Sequence, residues 1–220
     1  MDTSGGTGLA RLSRGWIVAA GAMAAAVAVL AILVAIDPAD PPLLGGLDRA
    51  WREVARGAPA WAEAASRGLK FLGSGWVMVP LRLVVAAWLL VRKRYAALGA
   101  WLLAWAVADA VTWVLKPGIG RLRPDGTDAT SFPSGHAKTA AQVALGIALL
   151  VAGTTAGRAA RWVRATAWAV AVAWVVAMAV SRTVLDEHWL SDVVAGALLG
   201  AACALGAVAV VGALARRRGS

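Results

Sequence analysis

Cysteine, histidine and acidic side chains are all scarce in this chain. One cysteine, Cys203, occurs in 220 residues and lies inside an apolar run. Alone, it excludes an intrachain disulfide framework and a cysteine-rich metal site. Histidine occurs twice, at His136 and His188. Acids number 12 against 22 lysines and arginines, for a net charge of +10. In a water-soluble protein that balance would point to nucleic acid. Here most basic residues sit in short loops between apolar runs, so no nucleic-acid partner is expected. Internal repeats and long polar stretches are also missing, so residues 1–220 read as one domain without a soluble appendage.

What fills the chain is apolar. It is 60% hydrophobic with mean hydropathy +0.69, above the roughly one-half expected of a soluble domain. The excess falls into runs near the ~20 residues that span a bilayer. Trp16–Ile36 is uncharged throughout. It exceeds the about 7–15 residues of a signal h-region and has no small-residue cleavage site, so it reads as a retained helix. The second run is Leu72–Val91, interrupted by Pro80 and Arg82, and the third is Tyr95–Leu115, with Asp109 inside. The fourth runs from near Gly135 to near Gly153, the fifth over roughly Val163–Val180 and the sixth over roughly Trp189–Ala215. The expected fold is all-α, a bundle of six transmembrane helices. Abundant alanine serves as helix former and small packing residue between them.

Charge in the loops sets the orientation. Arg11, Arg14, Arg92, Lys93, Arg94, Arg158, Arg161, Arg164 and Arg216 to Arg218 fall at the termini and in loops 2–3 and 4–5, accompanied by one acid, Asp2. The positive-inside rule puts these regions in the cytoplasm. The other loops then face outward, in the plasma (inner) membrane. Loop 1–2 carries Leu47, Trp51, Val54 and Ala58 on one helical stripe, and Pro59 divides it. This segment, Leu47–Phe71, reads as two short amphipathic helices on the outer leaflet.

Polar residues near membrane depth are costly and mark function by default. Most gather at the outer ends of spans three to six. "KPGIGRLRP" supplies Lys116 and Arg123, "PSGH" supplies Ser134, Gly135 and His136, and "SRTVLDEHWLSD" supplies Arg182, His188 and Asp192. Lys116, Arg123 and Arg182 suit a multiply charged anion, with arginine forks matching phosphate oxygens. The start of span four adds the backbone N–H groups of Gly135 and His136, since a helix N-terminus binds anions. Gly135 allows close approach, and Ser134 can cap the helix. Hydrolysing a phosphate ester requires a nucleophile and a proton donor. His188 has Asp192 four residues on, within helical reach, to fix its tautomer. His136 has no carboxylate in its own segment and fits the acid.

These residues resemble the type 2 phosphatidic acid phosphatase superfamily, whose fold is shared with vanadium haloperoxidases. Its signature reads K-x6-R-P, then P-S-G-H, then S-R-x5-H-x3-D. Lys116, Arg123 and Pro124 match the first part, Pro133 to His136 the second, and Ser181, Arg182, His188 and Asp192 the third, without a departure over positions 116–192. The resemblance implies a metal-free, cofactor-free phosphohistidine mechanism. His188 attacks phosphorus, Asp192 orients it and His136 protonates the leaving group. Lys116, Arg123, Ser134, Gly135 and Arg182 hold the phosphate. The substrate implied is a lipid phosphate, either an isoprenoid diphosphate such as undecaprenyl diphosphate or a glycerolipid phosphate such as phosphatidate or phosphatidylglycerol phosphate. The competing readings are a lipid-phosphate binding or transport protein, which needs the cations but no oriented nucleophile, and a lipid phosphotransferase.

Some charges lie outside the signature. Arg82 and Asp109 fall within roughly 5 Å of the same depth at about 1.5 Å rise per residue, and predict an intramembrane ion pair. Arg121 and Lys138 flank the cradle and read as solvated or snorkelling charges, or as tuners of headgroup preference. Trp16, Trp76, Trp162 and Trp189 sit near span ends, as interfacial belts require.

Overall fold

The computed structural model describes residues 14–154 and 159–217. Among them are eight helices and no strand: α1 (Arg14–Ile36), α2 (Gly45–Arg56), α3 (Ala60–Leu72), α4 (Gly75–Val91), α5 (Tyr95–Ile119), α6 (Gly135–Thr154), α7 (Ala159–Val184) and α8 (Leu190–Arg217). Of the basic residues used to orient the chain, Arg11, Arg158 and Arg218 lie outside the described residues, as does Asp2.

Five helices, α1 and α5 to α8, are long and apolar enough to cross a membrane. The second expected span is corrected: helix does not run unbroken from Leu72. A 47° bend separates α3 from α4, and counting the pair as one span gives six. The break falls at Gly73, which caps the C-terminus of α3, and Ser74, which precedes the first residue of α4. Span five is longer than expected, because α7 runs from Ala159 to Val184 and Arg182 continues a helix that hydropathy alone would end. Likewise α5 passes through Pro117 and ends at Gly120, whose φ of 65° is the left-handed conformation glycine adopts without penalty.

The outer surface of the bundle is apolar. Ile17, Val18, Val29 and Ile32 of α1 are 53–68% exposed. In water each such side chain would forgo about 1.5–3 kcal/mol of burial; facing hydrocarbon it forgoes nothing. The opposite stripe of α1, Ala20, Val27 and Val34, repeats every seven residues and is buried as α1 packs on α8. The chain is a multi-pass membrane protein.

Helix α8 is the hub, with α1, α5, α6 and α7 packed on it. Its contact with α6 is close because of two glycines. A Cβ at Gly196 would collide with the Ser134 carbonyl oxygen, and one at Gly200 with that of Lys138. Small residues at such crossings let helix backbones approach. The expected ion pair is present: Arg82 Nη1 donates to Asp109 Oδ2 at 3.2 Å. Trp105 Nε1 donates to the same oxygen at 2.7 Å.

Lys138 corrects the sequence reading. It is 5% exposed and its ammonium pairs with Asp109 Oδ1. It is therefore neither solvated nor aimed at the headgroup region. Its partner lies 29 residues upstream on α5, beyond the reach of any local pattern. Trp189 stands just before α8, near a span end as expected. Its indole donates to the Leu122 carbonyl at 3.0 Å and carries the guanidinium groups of Arg52 and Arg121 on its ring, each at 5.3 Å. Trp76 and Trp162 are 86% and 70% exposed, free to meet an interface.

Pro59 does divide the segment between α1 and α4 into two helices. The buried face of α2 is Gly45, Asp48 and Ala55. Leu47 and Val54, from the apolar stripe, point outward at 58% and 68% exposure. The helix thus turns a polar residue toward the protein and an apolar row away from it.

Candidate active site

The three signature segments meet at one end of the bundle. Lys116 lies in the last turns of α5, and Arg123 follows in the loop. His136 opens α6, Arg182 closes α7, and His188 sits in the short turn before Asp192 in the first turn of α8. Two backbone bonds knit this end: Ser134 N–H donates to the Asp192 carbonyl and Ser131 N–H to the Arg121 carbonyl, each at 3.0 Å. His188 lies close enough to Lys116, Arg182 and Asp192 for their charges to act on it. His136 is similarly near Arg182 and His188.

His188 and Asp192 form a buried pair, with Nδ1 3.7 Å from Oδ2. Asp192 is wholly buried and His188 5% exposed. The carboxylate is held from several directions. Ser131 Oγ donates to Oδ2 at 2.5 Å, Trp189 N–H to Oδ2 at 3.0 Å and Arg121 Nη1 to Oδ1 at 2.7 Å. Its plane is thereby fixed with Oδ2 toward the imidazole, leaving Nε2 as the histidine's other face. Burial is the main cause that pushes the His188 imidazole below the ordinary histidine range; Asp192 opposes it, and Lys116 and Arg182 add to it. The neutral ring, the form with a free lone pair, is favoured.

The cations present donors the protein leaves unused. Arg182 is wholly buried against Glu187, yet its Nε and Nη1 have no protein hydrogen-bond partner. Arg123 pairs with Asp128 Oδ2 at 3.1 Å through Nη2, while its buried Nε is unpartnered. Buried Nε2 of His136 is unpartnered too. A buried polar group without a partner costs about 1–3 kcal/mol, more if charged. A tetrahedral oxyanion supplies the acceptors these groups need. Lys116 Nζ donates to the Thr130 carbonyl, which holds its ammonium beside the same loop.

The start of α6 matches less closely. Ser134 Oγ accepts from Ala137 N–H at 3.5 Å, a long cap contact. A Cβ at Gly135 would meet no protein atom within 4 Å. Packing does not demand glycine there, so the argument from ligand approach stands alone. The ring of His136 is lodged against the α3–α4 bend, since a Cβ at Gly73 would stand 3.0 Å from its Cδ2.

Sequence reasoning missed the group behind Asp192. Arg121 is 1% exposed and bridges two carboxylates, Asp192 and Asp48 of α2, the latter at 2.8 Å. It is not a solvated or snorkelling charge. Asp48 also accepts from Ser191 N–H at 2.9 Å and Ser191 Oγ at 2.7 Å. The signature marks Arg123 and passes over Arg121, and Asp48 lies 73 residues away from it.

Comparison with known proteins bears on the family and the fold. The sequence model of the PAP2 superfamily matches residues 97–216. A lipid A 1-phosphatase of Porphyromonas gingivalis is 37% identical over 102 residues, which are 43% of this chain but 21% of that protein, so the match spans about a fifth of the relative's length. Among solved structures, the first transmembrane PAP2 type phosphatidylglycerolphosphate phosphatase from Bacillus subtilis superposes with a TM-score of 0.72 at 23% identity, covering 90% of this chain and 96% of that one. Aquifex aeolicus LpxE gives 0.58 at 19% identity over 74% of this chain and 95% of that one. At these identities the two structures establish the fold. Residues 97–216 are more than half of the chain and take in every position from Lys116 to Asp192, so the chain belongs to the PAP2 superfamily.

Proposed function

We propose that this protein is a membrane phosphatase that hydrolyses the phosphate monoester or diphosphate of a lipid at the outer face of the plasma membrane. One observation carries the reading: an oriented, buried histidine–carboxylate pair, His188 and Asp192, lies near the buried Arg182, whose Nε and Nη1 have no protein acceptor. A binding or transport protein would need the cations but no oriented imidazole.

In the proposed reaction the substrate phosphate lies among Lys116, Arg123, Arg182 and the N–H groups of Gly135 and His136. Nε2 of His188 attacks phosphorus with its lone pair. The bond from phosphorus to the leaving oxygen, the lipid oxygen of a monoester or the bridging oxygen of a diphosphate, breaks as His136, protonated at that moment, gives its proton to that oxygen. Asp192 stabilises the positive charge that develops on His188. Water then attacks the phosphohistidine, His136 takes a proton from it, and the phosphorus–nitrogen bond breaks to release inorganic phosphate. The fixed cations stabilise the charge on the equatorial oxygens of both transition states.

The tail has a place beside the head. An apolar groove of ≈ 490 Å³ runs between α4, α6 and α7, lined by Leu72, Val77, Leu81, Val143, Ile147 and Trp174. Its Leu72 end adjoins Gly73, where an added Cβ would meet Met178 and the His136 ring. Val170 on its wall is 63% exposed, so the groove opens sideways toward lipid. These features support a prenyl or acyl chain as the tail, with the cation pocket reading phosphate alone.

The test is phosphate release by purified protein from a panel of prenyl diphosphates and glycerolipid phosphates, with and without EDTA, beside His188→Ala. Release by the wild type in EDTA and none by the variant is expected. Unchanged lipid binding with no release from any member of the panel would establish a binding protein instead.

A further inference from the structure

Helix α2 precedes the matched region 97–216, yet its only buried acid lies behind the candidate nucleophile. We infer that Asp48 is a positioning residue for the His188–Asp192 pair, acting through Arg121 and Ser191, so that α2 is part of the catalytic machinery. The inference rests on the hydrolytic reading above.

The geometry is a closed set of contacts. Asp48 Oδ2 accepts from Arg121 Nη2 at 2.8 Å and from Ser191 Oγ at 2.7 Å. Arg121 Nη1 donates to Ser191 Oγ and to Asp192 Oδ1, both at 2.7 Å. Arg121 Nε reaches the Pro38 carbonyl at 3.2 Å. Asp48, Arg121, Ser191 and Asp192 are at most 6% exposed. Charge is the point of the arrangement. Arg121 alone against Asp192 would form a neutral pair and spend the carboxylate whose field His188 needs. With Asp48 on its other side, one guanidinium is shared between two carboxylates. The set keeps a net negative charge beside the imidazole, and Arg121 still fixes the Asp192 plane. Two carboxylates held by a planar fork also set orientation, which a lysine cannot do.

A second grip holds α2 on the same turn. Arg52 makes a two-pronged contact with Asp186, Nε to Oδ1 and Nη2 to Oδ2, each at 2.7 Å. Asp186 lies two residues before His188 and has φ 55°. Trp51 Nε1 donates to Thr183 Oγ1 at 3.0 Å. The helix thus clasps both ends of the segment that carries the nucleophile.

The experiment compares wild type, Asp48→Asn, Arg121→Lys and His188→Ala in detergent, following kcat and KM for phosphate release from one lipid phosphate and the Tm of each. Asp48→Asn keeps the shape and removes the charge. It is expected to lower kcat at least tenfold with KM within twofold, because phosphate is held by other residues. The double variant D48N/R121Q should regain part of that kcat, since it removes the cation left facing Asp192 alone. If D48N does not fold, R121K decides: it keeps the charge but loses the bridge, and the same kcat loss at constant KM is expected. Wild-type kcat in D48N, or in R121K where D48N is lost, overturns the inference, as does a D48N defect that lies in KM alone. Release of phosphate by H188A would instead overturn the assignment of His188 as nucleophile on which it rests, and no release by the wild type would overturn the hydrolytic reading.

Discussion

Ser131 Oγ and His188 Nδ1 address the same carboxylate oxygen: the hydroxyl lies 2.5 Å from Asp192 Oδ2 and the imidazole nitrogen 3.7 Å from it. Asp192 is therefore anchored independently of the histidine it faces. Its orientation is set by Ser131, Trp189 N–H and Arg121 before any charge appears on His188.

The pH profile follows from this pair. Attack needs neutral His188, whose pKa burial lowers from the ordinary value of 6.5. The ring thus stays neutral above that value and loses activity only as pH falls through its lowered pKa. The acid limb of kcat/KM set by His188 is expected below pH 6.5. Asp192 raises this pKa, so Asp192→Asn should move the limb to still lower pH. It should also reduce kcat by roughly 10²–10⁴, the scale for losing an orienting carboxylate. An acid limb that moves upward in the variant contradicts this assignment.

Arg182 presents Nε and Nη1 without a protein partner. Arg182→Lys retains the charge and loses the fork. A fall of about 10²-fold in kcat/KM is expected, the scale for one transition-state donor, together with weaker inhibition by inorganic phosphate. Equal kinetics for the two side chains would remove Arg182 from the phosphate site.

Asp109 serves two cations, Arg82 and Lys138. Asp109→Asn leaves both unpaired and should cost on the order of 3 kcal/mol, more than Arg82→Gln or Lys138→Gln alone. Exchanging Arg82 and Asp109 should rescue folding only in part, because the new arginine faces Lys138. Thermal unfolding in detergent orders the four variants; full rescue by the exchange would show that Lys138 does not share the carboxylate.

The crossing of α6 and α8 depends on Gly200, where a methyl group would overlap the Lys138 carbonyl oxygen. Gly200→Ala is expected to cost about 1–3 kcal/mol and to reduce activity by shifting Ser134 from Asp192. Gly99→Ala is the control, with no atom within 4 Å of an added Cβ. A drop in Tm of the same size in both would show that the crossing is not the cause.

The spans and the signature were legible in the sequence for physical reasons. A bilayer demands long apolar runs, and residues brought together at neighbouring helix ends keep fixed local spacings, as from His188 to Asp192. The Arg82–Asp109 pair was legible because depth along antiparallel helices can be counted. Arg121, Asp48 and Lys138 were not. Each is a charge whose meaning depends on a partner 29 to 73 residues away in the sequence. The break at Gly73–Ser74 was hidden because hydropathy continues across it while the chain direction turns.

The central claim is that His188 carries the phosphoryl group during lipid phosphate hydrolysis. Its most direct measurement is rapid alkaline quenching of the protein during turnover of a radiolabelled lipid phosphate, followed by peptide mapping of the label. The account predicts acid-labile phosphohistidine on the peptide containing His188, formed as fast as turnover requires and absent in His188→Ala. Full phosphatase activity with label on another residue, or with no labelled protein under conditions that preserve phosphohistidine, would contradict it.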